Sequence, residues 1–189
     1  MSLDLIETIT GDISRGKNLL LRLTTADRLR QDNIDIVKTM AEKGYHLIII
    51  TTNQPSEVLK KNYERAGIDV ARLYFIDAIT SYAMGTAPPG EQNVRFIGGP
   101  SNLTDLGIAI TGVLNEFSDK RPCILFDSVS TMLIYLPSAT ISKFIHNISN
   151  RLRLIDTPGI FLAVGKGLDP MMISNLSTFM DDIIQSDVV

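Results

Sequence analysis

Short apolar runs along the chain alternate with longer stretches whose apolar positions recur every three or four residues. NLLLRL (18–23) reads as a strand, and after it Ile34, Val37, Met40 and Ala41 repeat at helical spacing until Gly44. The β-branched run HLIIITT (46–52) predicts a strand buried on both faces of a parallel sheet. Pro55 then opens a helix carrying Val58, Leu59, Tyr63 and Ala66, which Gly67 stops. RLYFIDA (72–78) and NVRFIGG (93–99) are further strands, separated by residues 79–92, which show no periodicity. With Gly85, Pro88, Pro89 and Gly90, that segment reads as a loop. Pro100-Ser101 starts a helix with Leu103, Leu106, Ile110, Val113, Leu114 and Phe117 on one stripe. CILFDS (123–128) is a buried strand ending in an aspartate. Ser138 is placed to cap a helix bearing Ile141, Phe144, Ile145, Ile148, Leu152 and Ile155. GIFLAVG (159–165) reads as a strand, DPMMISNLSTFM as a helix, and DDIIQ as an edge strand.

Strands alternating with helices of this length imply βαβ units. The expectation is an α/β fold: a three-layer, doubly wound, mostly parallel sheet with helices on both faces. No internal repeat or second domain is visible, so residues 1–189 read as a single domain.

Composition narrows the chemistry. Hydrophobic residues make up 44% and charged residues 21%, as in a globular chain. Eighteen Lys+Arg against 21 Asp+Glu leave a net charge of −3, which argues against non-specific nucleic-acid binding. The single cysteine, Cys123, excludes an internal disulfide and sits beside an apolar run, the setting of a buried, inert thiol. His46 and His146 are far apart and leave little material for zinc, so no metal site is expected. No apolar run approaches the ~18 residues of a membrane span. MSLDLIETIT lacks the features of a signal peptide, so the expected location is cytoplasmic.

Open parallel sheets bind ligands beyond the carboxyl ends of their strands. The residues to read are therefore Thr24-Thr25-Ala26-Asp27, Thr51-Thr52-Asn53-Gln54, Asp77, Asp127-Ser128 and Gly165-Lys166-Gly167. CILFDSVSTML has the strand-then-aspartate form that holds magnesium through water in P-loop NTPases. An aspartate there also serves simply to cap the next helix.

The order of several weak motifs is more telling than any one. Arg15-Gly16, Gly67-Ile68-Asp69, Ile76-Asp77-Ala78 and Asp127-Ser128 follow one another as they do in RecA-like ATPases, and the segment GGPSNLTDLGIAITGVLNEF resembles one in small archaeal relatives of that group. In this the chain resembles the KaiC/RadA-type branch of archaea and bacteria over nearly its whole length. The resemblance implies a RecA-like core, a phosphate-binding loop after the first strand and a catalytic glutamate after the second. It also implies assembly through faces around the nucleotide cleft.

Two departures from that pattern carry the functional expectation. Where the phosphate loop belongs, the chain reads RLTTADRLRQDN, with no glycine and no lysine before Lys38. Glycines let backbone N–H groups close around phosphates, and the lysine adds charge. Arg28 and Arg30 supply cations without that nest, and Thr24 or Thr25 suffices as a helix cap. The glutamate position aligns with Asn53 or Gln54, and an amide cannot take the proton of an attacking water. Glu57 lies one helical turn further on.

The resulting expectation is a non-catalytic RecA/KaiC-like domain with a regulatory or signalling role through a protein partner or self-association, with no catalytic residues, metal or cofactor. Asp127 is expected to hydrogen-bond neighbouring hydroxyls or backbone. The alternative is a divergent ATP-binding protein or ATPase in which Thr24, Thr25, Arg28, Asn53, Gln54, Asp127 and Ser128 hold ATP and magnesium at an atypical site. A small-molecule sensor reusing the cleft and a DNA-binding accessory are further readings, the latter opposed by the acidic balance. Lys166 reads as part of a surface turn, Met171-Met172 as packing beneath the sheet, and Tyr74, Phe75 and Tyr82 as core or partner surface. Glu57–Lys61 reads as ordinary i,i+4 support on an exposed helix face.

Overall fold

In the second strand the apolar run is divided residue by residue between two cores. Leu47 and Ile49 join one buried cluster, Ile48 and Ile50 the other, and all four are fully buried. Side chains of a strand alternate faces, so a strand must be apolar throughout only when helices cover both sides. The computed structural model, which describes residues 1, 3–23, 26–164 and 168–186, shows that arrangement.

Seven strands form one sheet: β1 (Asn18–Leu23), β2 (His46–Thr51), β3 (Leu73–Asp77), β4 (Val94–Phe96), β5 (Pro122–Asp127), β6 (Gly159–Val164) and β7 (Asp182–Ser186). Their order is β4-β3-β2-β5-β6-β1-β7, and every pairing is parallel. The expected three-layer, doubly wound sheet is present, with DDIIQ contributing the edge strand beside β1. Helices α1 (Leu3–Ser14), α2 (Ala26–Glu42) and α3 (Ser56–Arg65) pack on one face. Helices α5 (Leu103–Glu116), α6 (Ser138–Leu154) and α7 (Pro170–Phe179) pack on the other. Burying each large aliphatic or aromatic side chain against these faces contributes about 1.5–3 kcal/mol before chain entropy is subtracted.

Helix ends follow local chemistry. Gly44 (φ 82°) and Gly67 (φ 76°) take the left-handed conformation that terminates α2 and α3, as their positions in sequence imply. Asp169 caps α7 by accepting from the Met172 N–H at 2.7 Å, with Pro170 in the first turn.

Four local expectations are corrected. Residues 79–92 are not loop throughout, because Thr80–Met84 forms a short helix, α4, started by hydrogen bonds from Ile79 and Thr80 to Asp77. Ser138 is the first residue of α6 rather than its cap; Pro137 occupies the cap position, and no side chain bonds there. The helix after β4 begins at Leu103 instead of Pro100, because Asn102 caps it by accepting from Asp105 N–H. Finally, α1 was not anticipated; Ile9 and Ile13 anchor it to the sheet, four residues apart on one helix face.

Met172 is buried and Met171 exposed, so only one of the pair packs beneath the sheet. Cys123 is buried, and burial pushes its thiol up to about 12, which leaves it un-ionised. Among the described residues no helix is long and apolar enough to cross a membrane.

Candidate functional site

The direction of winding reverses between β2 and β5. The helix after β2 packs on one face of the sheet, whereas the short 3-10 turn (Ser130–Ile134) and α6 after β5 pack on the other. Beyond the carboxyl ends of such a pair the departing chains leave a crevice. A cavity of about 200 Å³ lies there, walled by α2, α3 and the ends of β2, β5 and β6.

Three of the sequence-derived site residues line it: Asn53, Gln54 and Asp127. Arg28 lies on α2 with its guanidinium 4.0 Å from Asp32, and it is Arg30 that reaches the cavity wall. Ser128 is buried, with its hydroxyl bonded to those of Ser130 and Thr131. Thr24 and Thr25 lie outside the described residues, as does Gly165-Lys166-Gly167.

The floor of the cleft is stitched by hydroxyls. Thr52 N–H donates to the Asp127 carbonyl at 2.8 Å, and Thr52 Oγ1 donates to the Ser128 carbonyl at 2.9 Å. Thr131 Oγ1 donates to the same Ser128 carbonyl, and Ser130 Oγ accepts from Val164 N–H. These bonds tie the ends of β2, β5 and β6 together and use up the hydroxyls.

The Asp127 carboxylate therefore does not bond to the neighbouring hydroxyls, contrary to expectation. Those groups satisfy backbone carbonyls and one another. Its partner is the Asn53 side-chain amide, and its Oδ1 is buried with no hydrogen bond. Asp127 is 3% exposed, and burial, only partly offset by the Asn53 bond, pushes its carboxyl up to about 7.

Sequence reasoning did not find the other half of the site. Tyr63 of α3 is fully buried and donates its hydroxyl to Asn33 Oδ1 of α2 at 2.6 Å. Burial, reinforced by the nearby Asp127, raises the phenol well above its ordinary value despite the Asn33 bond, so it stays a neutral donor. Asn33 is 3% exposed, and its Nδ2 has no partner. One signal for Asn33 was available. It falls on the apolar stripe of α2, four residues after Leu29 and four before Val37, both buried.

The cleft thus presents a buried carboxyl, the buried amide of Asn33 and the half-buried amides of Asn53, Gln54 and Asn62 between apolar walls that include Leu29 and Leu59. Among the described residues lining it, Asp127 is the one carboxylate and Arg30 the one cation. Among the described residues no group of three or more His, Cys, Asp or Glu side chains is arranged to hold a metal ion.

At the same carboxyl edge, α4 and the turn after β5 meet through Tyr82 and Tyr135, whose rings pack edge to face at 5.5 Å. Around them Tyr82, Met84 and Ile134 are exposed by 55%, 61% and 75%, more than large apolar side chains usually are in a folded chain. Phe75 is wholly buried and Tyr74, half-buried, packs edge to face on Phe117, so of the three aromatics Tyr82 is the most exposed.

A family model described as a family of unknown function, DUF7504, matches residues 16–186. No curated protein matches the chain. Among solved structures, the chain is similar to the uncharacterized protein PH0321 from Pyrococcus horikoshii, solved in complex with an unknown peptide. The identity is 14% and the TM-score 0.72, over 96% of this chain and 82% of that one, a likeness of fold.

Proposed function

We propose, for a chain that belongs to the DUF7504 family, a degenerate RecA/KaiC-type domain that regulates or signals through protein contacts and does not hydrolyse ATP. The observation that carries this reading is the Asn53–Asp127 pair. At the end of β2, where RecA-like enzymes place a catalytic glutamate, stands an amide whose side chain is bonded to the aspartate at the end of β5.

The donor set fits magnesium triphosphate poorly. A magnesium-binding carboxylate must be ionised and solvated enough to exchange water for metal. Asp127 is buried, bonded to Asn53 and pushed up to about 7. Among the described residues that line the cavity there is no lysine, and the one cation, Arg30, stands against several phosphate charges.

The exposed apolar group of Tyr82, Met84 and Ile134 supports a protein-contact role, because it borders the same edge of the sheet. RecA-type domains assemble around this edge, and the archaeal neighbour was solved with a peptide. Both agree with a surface used for association.

Calorimetric titration with ATP and magnesium, paired with a phosphate-release assay, tests the reading. The expected result is no turnover. Micromolar binding accompanied by hydrolysis that Asp127→Ala abolishes would overturn it in favour of an atypical ATPase.

A further inference from the structure

We infer that the cavity between α2 and α3 is a binding site for a small uncharged molecule with an amide-type edge, an N–H donor and a carbonyl or ring-nitrogen acceptor on an otherwise apolar body. The inference rests on the reading of the cleft as no longer a triphosphate site, and goes beyond it by naming what the cleft holds.

Two buried groups carry it. Asp127 Oδ1 and Asn33 Nδ2 both belong to side chains 3% exposed, both line the same cavity, and neither has a hydrogen-bond partner. Buried polar groups in native structures are nearly always paired, because an unpaired one costs about 1–3 kcal/mol. Two in one cavity, one an acceptor and the other a donor, describe the complement of an amide edge.

Each is also fixed in place. Tyr63 holds Asn33 by its Oδ1, which sets the amide so that Nδ2 is the free atom. Asn53 holds Asp127. Preorganised polar atoms between apolar walls are the usual anatomy of a small-molecule site. Leu29, Ile34, Leu59 and Val164 supply those walls.

Size and charge narrow the class. A cavity of about 200 Å³ corresponds to the space of roughly seven waters at ~30 Å³ each, which suits a ring of a single nucleobase or nicotinamide and no nucleotide. Burial disfavours the charged form of Asp127, and Arg30 is the one cation among the described residues that line the cavity. An uncharged ligand loses less hydration on entering such a site than an ion does.

Uracil, adenine and nicotinamide are suitable probes. They are added to the full-length chain at up to 10 mM, about the weak limit of fragment binding, and followed by amide NMR and calorimetry. At least one is expected to bind and to shift the side-chain amide signals of Asn33 and Asn53. The double variant Tyr63→Phe/Asn33→Leu removes both partners of one hydrogen bond together and should weaken that binding at least tenfold. If it unfolds, Ile34→Trp, which fills the cavity from its half-buried edge, should do the same. Silence of all three probes means a cavity filled by solvent only and overturns the site. Binding that neither variant changes overturns it as well. ATP hydrolysis in the parallel assay would instead overturn the proposed function, so the two failures are separable.

Discussion

Asp77 and Asp127 stand on either side of Thr51, each in register with it at the carboxyl end of its strand, yet their carboxylates live in opposite conditions. Asp77 accepts from the N–H groups of Ser56, Ile79 and Thr80 and from the Thr80 hydroxyl, at 2.6–2.8 Å. It thereby caps the starts of both α3 and α4. Burial acts to raise its carboxyl, but these hydrogen bonds outweigh burial and hold it below the ordinary value. Asp127 is also buried, has one amide partner, and is displaced the other way. The helix that would offer it N–H groups is absent, since α6 begins only at Ser138.

The displacement of Asp127 makes stability fall as pH rises. Its folded value of about 7 lies above the ordinary 3.8, so between those values the folded state binds more protons than the unfolded one. The stabilising effect of the proton is complete below about pH 4 and is lost as pH passes 7. Three units correspond to about 4 kcal/mol as an upper bound. Asp127→Asn keeps the shape without the charge, so thermal melts should show it several degrees more stable than wild type at pH 8, less so at pH 5, and nearly equal below pH 4. A wild type that gains stability over this range relative to the variant would contradict the desolvated carboxylate.

Asp77 gives the reverse dependence. Its depressed value means that its contribution is present above pH 4 and fades as pH falls through the folded value. Asp77→Ala leaves the first N–H groups of two helices without an acceptor and should cost about 2–4 kcal/mol at pH 7 in urea unfolding. The difference should shrink at pH 3.

Tyr63→Phe removes the donor to Asn33 Oδ1 while preserving the ring. A loss of about 1–3 kcal/mol is expected, from a buried acceptor left unpaired. Because both groups belong to one bond, Tyr63→Phe/Asn33→Leu should cost less than the sum of the two single changes. Additivity in chemical denaturation would show the pair to be uncoupled.

Gly159 opens β6 where α6 crosses closely. A Cβ there would lie 2.8 Å from both Asn18 Oδ1 and Leu152 Cδ1, so Gly159→Ala should destabilise by about 1–3 kcal/mol through overpacking. An unchanged thermal midpoint would mean that Leu152 and Asn18 can both retreat.

Much of this was legible in the residue order. The apolar run at 46–52, the interleaved helical stripes and the glycines at 44 and 67 specify parallel strands linked by helices, because periodicity and left-handed turns are local properties. Asn53, Gln54 and Asp127 were identifiable as cleft residues because strand ends in an open sheet converge on one edge. The sequence could not separate Asp77 from Asp127, since both simply follow an apolar strand. It could not pair Asn33 with Tyr63, thirty residues apart, or show that the hydroxyls of Thr52 and Thr131 would bond backbone and leave Asp127 without them. Desolvation and hydrogen-bond supply depend on which strands and helices become neighbours, and that is decided when the sheet takes the order β4-β3-β2-β5-β6-β1-β7.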